Sequence, residues 1–475
     1  MSVDYTNFLD RKTFRDIESG FEISEIDLPA ALFPFQRALV QWALRRGRAA
    51  LFCDTGLGKS FMQVAWADQI AQRVGPVLIV APLCVSQQTV EEAAKLGIDV
   101  RYVRSQSEIQ EYFDAGCAQV NARRIWITNY EMLEHFDLSA FSGVVLDESS
   151  IIKHRDSKTR NRVIAAARSV PYKLSCTATP SPNDYMELGN QAEFLGVMNM
   201  NEMLAMFFTH DSGETSKWRL KGHGRVRFWE WLSTWAVVVK KPSDLGFDDA
   251  GYILPGLEII EHMVPTDKML TGHKIQTPAS TLSERLEARR LTIDERVAKC
   301  AELVNGDEDE WIIWCNLNEE SSKLAAAIPG AVEVFGSLKL AEKERRIEAF
   351  TSGSKGRIVT KPSITGFGLN WQHCRKMAFV GLNDSYEDLY QAIRRCYRFG
   401  QDREVIVHLI SSVLEGATLE NIKRKEAQAE EMSRQMVEHM RDFMSRRVRG
   451  LRAEKSPYDP RVPIAFPAWL SSISV

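Results

Sequence analysis

The run Asp54-Thr55-Gly56-Leu57-Gly58-Lys59-Ser60 has the make-up of a phosphate cradle. Two closely spaced glycines let the backbone turn tightly and aim successive N–H groups at an anion. The lysine that follows suits the β- and γ-phosphates of a nucleotide, and the hydroxyl after it suits Mg²⁺. Thr55, Gly56, Leu57, Gly58, Lys59 and Ser60 are therefore the expected nucleotide contacts, with Ser60 also on the metal. Cys53 stands where the full pattern has its first glycine, so the run alone equally describes a glycine turn with a surface lysine. Farther along, Asp147-Glu148 ends a buried apolar run. An acid there suits Mg²⁺ held through water, and the next acid suits the orienting and deprotonation of an attacking water. Two acids at a strand end also cap helices, but a phosphate loop upstream in the same predicted sheet makes the joint reading, an ATP and Mg²⁺ site, the stronger one. Gln36 begins a helix whose apolar face carries Leu39, Val40, Trp42 and Leu44. Its amide offers a donor and an acceptor to an adenine edge, or simply faces solvent.

The elements that must position these groups alternate. Apolar runs at 49–53, 77–82, 125–128, 144–146 and 172–175 read as buried parallel strands, with helical stretches between them, the first at 61–74. This predicts a doubly wound α/β domain with its ligand at the carboxyl ends of the strands, where Asp54, Pro82, Asn129, Asp147 and Thr177 fall. A second series at 311–315, 331–335, 357–360, 377–381 and 405–410 predicts a second such sheet, without a second phosphate loop.

Composition narrows the class. A chain of 475 residues, 44% hydrophobic and 26% charged, suits two or three globular domains. The net charge of −3 does not announce a nucleic-acid partner, so any such surface depends on local Lys and Arg clusters. Eight cysteines without a C-x-x-C pair indicate reduced thiols and no zinc site. The start of the chain lacks an apolar signal segment, and no apolar run is long enough to span a bilayer. A cytoplasmic, water-soluble monomer without membrane or lipid partners is the expectation.

The ordered set resembles superfamily 2 helicases, specifically the Swi/Snf-like DNA translocases, across roughly residues 30–425. Gln36 matches the adenine-reading glutamine, DTGLGKS motif I, VAPLCVSQQ (80–88) and ITNYEML (127–133) motifs Ia and Ib, LDESSIIKH (146–154) the DEAH-type box with its trailing Lys153, and TATPSPN (177–183) motif III. ITGFGLNWQ (364–372) resembles motif V and YQAIRRCYRFGQ (390–401) motif VI. The resemblance implies two tandem RecA-like doubly wound lobes, with ATP and Mg²⁺ between them and DNA, duplex, forked or branched, as partner. It implies Lys59, Asp147, Glu148, Arg395 and Arg398 as catalytic residues, Arg398 as arginine finger and Arg395 as γ-phosphate sensor; their spacing of three puts both guanidiniums on one helix face. Arg394 is the expected solvated member. Gly368 joins the nucleotide contacts, while Pro82, Asn129, Lys153, Thr177, Thr179 and Gly366 are the implied DNA contacts. Ser150 stands where the family carries His or Gln, a departure bearing on coupling to motif III and not on hydrolysis.

The expected organisation is a lead-in (1–29), lobe 1 (30–189), a helical insertion (190–250), an interlobe linker (251–290), lobe 2 (291–415), a helical brace (416–455) and a Pro/aromatic tail (456–475). The insertion crowds aromatics at Phe207, Phe208, Trp218, Phe228, Trp229, Trp231 and Trp235, expected to form its own core. Its basic turn, with Lys217, Arg219, Lys221, Arg225 and Arg227, is a candidate phosphate-backbone clamp. Arg446, Arg447, Arg449 and Arg452 end the brace, in solvent or on DNA, and the tail docks back or engages a protein partner. The resulting expectation is an ATP-dependent DNA translocase or helicase of a compact, stand-alone bacterial or phage type acting in DNA repair, replication or recombination. The alternatives are a nucleotide-gated DNA-binding module without hydrolysis and an RNA-directed helicase.

Overall fold

The computed structural model describes residues 18–114, 124–181, 184–210, 218–365, 369–383 and 385–448. The first apolar runs form strands β1 (Arg48–Cys53), β2 (Val77–Ala81), β3 (Arg101–Tyr102), β4 (Ile125–Asn129), β5 (Gly143–Leu146) and β6 (Tyr172–Cys176). After a short antiparallel hairpin, β7 (Phe208–His210) and β8 (Trp218–Leu220), comes β9 (Ala236–Val239). The lobe 1 sheet runs β3-β4-β2-β5-β6-β1-β9, and every pairing in it is parallel. The central strands are buried along their length because helices cover both faces, which explains their unbroken apolar sequence.

The second sheet contains β10 (Leu257–Val264), β11 (Trp311–Cys315), β12 (Val332–Glu333), β13 (Arg357–Thr360), β14 (Lys376–Val380) and β15 (Val405–Ser412), in the order β10-β15-β14-β11-β13-β12. It too is parallel throughout. The architecture is thus the expected pair of doubly wound α/β lobes.

Two boundaries differ from the sequence expectation. The stretch 190–250 is no separate body: β9 is the edge strand of lobe 1, and the Asp54 N–H donates to the Val239 carbonyl at 2.8 Å. Phe207, Phe208, Phe228, Trp229, Trp231 and Trp235 pack into the lobe 1 core, with Trp218 against its edge, instead of forming a core of their own. The expected linker 251–290 contains β10, which pairs along all eight residues with β15 and so opens lobe 2. Leu257–Val264 mixes apolar residues with Glu258, Glu261 and His262 and is largely exposed at the sheet edge, and that masks it as a strand in the sequence.

The helix Gly416–Val448 begins against lobe 2, where Leu419 and Ile422 are buried, and ends on lobe 1, where Met436, Met440, Met444 and Val448 join the core. At 33 residues it is about 50 Å long, enough to tie the lobes together as a brace. Arg449, Arg452 and the tail lie outside the described residues. Among the described residues no helix is long and apolar enough to cross a membrane.

Candidate active site

The loop after β1 takes its shape from two glycines in the left-handed region, Gly56 at φ +90° and Gly58 at φ +78°. A Cβ on Gly58 would stand 2.3 Å from Gln36 Nε2, and one on Gly56 would stand 2.8 Å from the Phe399 nitrogen in lobe 2. The loop is therefore packed from both lobes. Helix Lys59–Arg73 begins directly after Gly58, so its positive end and first free N–H groups face the same space. Lys59 Nζ donates to the Cys53 and Asp54 carbonyls at 3.0 and 3.4 Å. Leu57 is buried, and its carbonyl accepts from Gln36 Nε2 at 2.9 Å, while Gln36 Oε1 accepts from the Phe33 N–H at 2.9 Å. Gln36 thus ties its helix to the loop, a role its sequence position did not disclose.

Asp147 and Glu148 leave β5 beside this loop. Asp147 Oδ1 accepts from Gln63 Nε2 at 2.6 Å, and its backbone carbonyl accepts from the Tyr130 hydroxyl at 2.7 Å. Burial foremost, then the neighbouring Glu148 charge, pushes the Asp147 carboxyl up to about 7. Glu148 is the one non-glycine residue with positive φ among the described residues, at +48°. Its Oε2 is buried and meets no hydrogen-bond partner among them. A left-handed backbone and an unsatisfied buried carboxylate oxygen thus coincide at a residue that also lines the cavity between the lobes. Gln63 and Tyr130 were not anticipated. Gln63 leaves a trace in the sequence, as an amide among the apolar residues of helix Lys59–Arg73, where it is fully buried.

From lobe 2 come Arg395 and Arg398, which lie in the turn after helix Tyr386–Ile393 and not, as their spacing of three suggested, on one helix face. Arg395 is 2% exposed, with Nε on the Gln391 carbonyl at 2.8 Å and Nη2 on the Gln391 side chain at 3.0 Å. Its Nη1 and Arg398 Nη1 both donate to the Leu369 carbonyl, at 3.2 and 3.4 Å. Burial lowers Arg398 from the usual guanidinium range, while the Glu92 and Glu148 charges act the other way. A cavity of about 420 Å³ between the lobes is lined by Gln36, Thr55, Gly56, Gly58, Lys59, Ser60, Asp147 and Glu148 on one side and Arg395 and Arg398 on the other. Phe33, Tyr252 and Phe399 form its aromatic rim, with the Tyr252 and Phe399 rings stacked at 4.6 Å. Phe399 lies within the motif VI run, but Phe33 and Tyr252 carry no motif and come from distant segments, so nothing in the sequence groups the three.

Arg394 corrects an expectation: it is not solvated. Its Nη2 donates to Asp54 Oδ2 at 3.0 Å across the cleft, and the Tyr390 hydroxyl donates to Asp54 Oδ1. Lys153 pairs with Glu387 of lobe 2, and Thr179 Oγ1 donates to the same carboxylate at 3.2 Å, so both make interlobe contacts. Asn129 is buried, bonding the Tyr102 hydroxyl and the Met132 N–H, each at 3.0 Å. Thr177 is fully buried and accepts from the Thr179 N–H at 3.1 Å; Pro82 caps the helix Leu83–Lys95. Lys221 donates to the Ala205 and Met206 carbonyls, and Arg225 to Gln435 of the brace. Arg219 and Arg227 are exposed. Lys217, Gly366 and Gly368 lie outside the described residues.

The SNF2-related domain matches residues 35–214, and the helicase conserved C-terminal domain matches residues 295–400. Together they span more than half of the chain. Protein p41 of Acyrthosiphon pisum secondary endosymbiont phage 1 is 24% identical over 180 residues, 34% of this chain and 38% of that protein. The DNA annealing helicase and endonuclease ZRANB3 of Bos taurus is 29% identical over 178 residues, 35% of this chain and 16% of that protein. The chain thus matches well under two thirds of the length of either relative. The Sulfolobus solfataricus SWI2/SNF2 ATPase core in complex with dsDNA is similar over 92% of this chain and 99% of its own, at 18% identity and a TM-score of 0.40. Because the two matched families fall one in each lobe, in the order that encloses the cavity, the chain belongs to the Swi/Snf-like family of superfamily 2 helicases, a family of DNA-dependent ATPases.

Proposed function

We propose that this protein hydrolyses ATP at the interlobe cavity and uses the resulting cycle of closure and opening to move on duplex or branched DNA. The observation that carries the reading is the cavity itself, which gathers the phosphate loop, the acid pair and two lobe 2 arginines around one space of about 420 Å³. In this reading the loop N–H groups and Lys59 bind the phosphates, and the aromatic rim of Phe33, Tyr252 and Phe399 stacks on the base. Ser60 and Asp147 present hard oxygen donors that fit Mg²⁺, which when bound neutralises phosphate charge. Glu148 Oε2 accepts the proton of the attacking water, and Arg398 stabilises the charge that develops on the phosphoryl group, with Arg395 beside it as sensor.

DNA is the proposed track because the family acts on DNA and because the bovine relative is named a DNA annealing helicase. Exposed Arg219 and Arg227 are the retained candidates for phosphate-backbone contact in the basic turn. The test is the ATP hydrolysis rate with no nucleic acid, single-stranded DNA, duplex, forked DNA and RNA in parallel. Stimulation by duplex or fork is expected. Stimulation by RNA alone would replace the DNA motor with an RNA motor, and no hydrolysis under any condition would leave a nucleotide-gated binding module.

A further inference from the structure

We propose that Asp54 and Arg394, joined by the Tyr390 hydroxyl, form a positioning latch that couples closure of the two lobes to the geometry of the phosphate loop. The inference rests on the reading of the cavity as the ATP site. Arg394 Nη2 meets Asp54 Oδ2 at 3.0 Å, with side chains only 15% and 16% exposed. The other oxygen of Asp54 accepts from Tyr390 and, at 2.6 Å, from the N–H of Thr55. That carboxylate therefore holds lobe 2 with both oxygens and the phosphate loop with one.

Neither Asp54 nor Arg394 lines the 420 Å³ cavity; both line a smaller one of about 110 Å³, with Tyr390 and Glu387. Their chain neighbours Thr55 and Arg395 do face the larger cavity. Each partner is thus one residue removed from a nucleotide-facing group, and a shift on either side of the pair is passed to the other through a single peptide unit. Tyr390 and Glu387 lie on the same helix, Tyr386–Ile393, which runs directly into the arginines. Glu387 holds Lys153, after the acid pair, and Thr179, after β6. One helix therefore senses the loop, the acid segment and the β6 loop together. Removing one partner strands the other charge in a largely buried contact, so the pair favours the closed arrangement only when both are present.

The test is a mutant cycle in the full chain: Asp54→Ala, Arg394→Ala and the double variant, with Tyr390→Phe as a milder change. ATP turnover is measured with duplex DNA. Closure is followed by energy transfer between fluorophores at R168C and K355C, exposed positions in lobes 1 and 2, with Mg²⁺ and a non-hydrolysable ATP analogue. Each single alanine variant should lower kcat by about tenfold, with a smaller change in KM for ATP, and shift the labelled population toward open. The double variant should be no worse than the poorer single one, and Tyr390→Phe should fall between it and wild type. Wild-type closure in both single variants, or losses that multiply in the double one, would overturn the latch. A wild-type chain that closes on the analogue but hydrolyses no ATP would instead overturn the proposed function, and the closure measurement would still decide the latch.

Discussion

At Gly58 a side chain is strained, since φ is +78°, and a Cβ would displace the Gln36 amide, whose Nε2 would stand 2.3 Å away, from its bond to the Leu57 carbonyl. Gly58→Ala should therefore weaken nucleotide binding and cost stability by about 1–3 kcal/mol, checked by nucleotide titration and thermal unfolding. Glu148→Gln keeps the size of the side chain and removes only its capacity to take a proton. Turnover should fall by about 10²-fold or more while nucleotide binding persists, and wild-type turnover would exclude Glu148 as the base. Lys59 and the acids were legible because their chemistry is local in sequence. Gln63 and Tyr130, which orient Asp147, were not, because a hydrogen bond from a neighbouring helix or strand leaves no fixed spacing.

Among the elements, β10 and β15 carry a stacked pair, His262 and His408, with Nε2 and Nδ1 2.9 Å apart. Burial foremost, then the charges of His262, Lys376 and Lys299, with Asp307 opposing, lowers His408 from 6.5 to about 4. Between those values the unfolded chain binds more protons than the folded one. The pair's contribution is thus complete above about 6.5 and lost as pH falls through 4. His408→Gln should lose less melting temperature than wild type over that interval, which thermal scans across it will show. The brace makes a second prediction: Met440 is fully buried against lobe 1, so Met440→Ala should cost about 2–5 kcal/mol in denaturant unfolding. Helix Gly416–Val448 was readable from its composition, whereas β9 and β10 were not, because edge strands in this fold are short or half exposed and their partners lie far along the chain.

For the molecule as a whole, net charge is −3, so attraction to DNA must come from local basic surface rather than from the overall field. DNA stimulation of ATP hydrolysis should therefore fall steeply as salt rises, because phosphate contacts release counterions, while hydrolysis without DNA changes little. A stimulation that survives high salt would argue against backbone contacts as its source. The same scale explains Arg394: beside the two arginines proposed to meet the nucleotide it reads as a spare surface charge, and only the approach of lobe 1 supplies Asp54 as its partner.

The sequence by itself determined the chemistry and the layout of each lobe: a phosphate loop, an acid pair, an arginine pair, and the central strands that carry them. These follow from local rules, glycine in left-handed turns and apolar runs in covered sheets, which act over a few residues. Only the tertiary structure decided what the lobes do to each other. It placed the arginines across a cavity from the loop, built the aromatic rim and the Gln36 tie, drew β9 and β10 into the sheets, and joined Asp54 to Arg394. Those outcomes depend on groups hundreds of residues apart finding complementary charge, shape and hydrogen bonds, and no spacing along a chain encodes such an encounter.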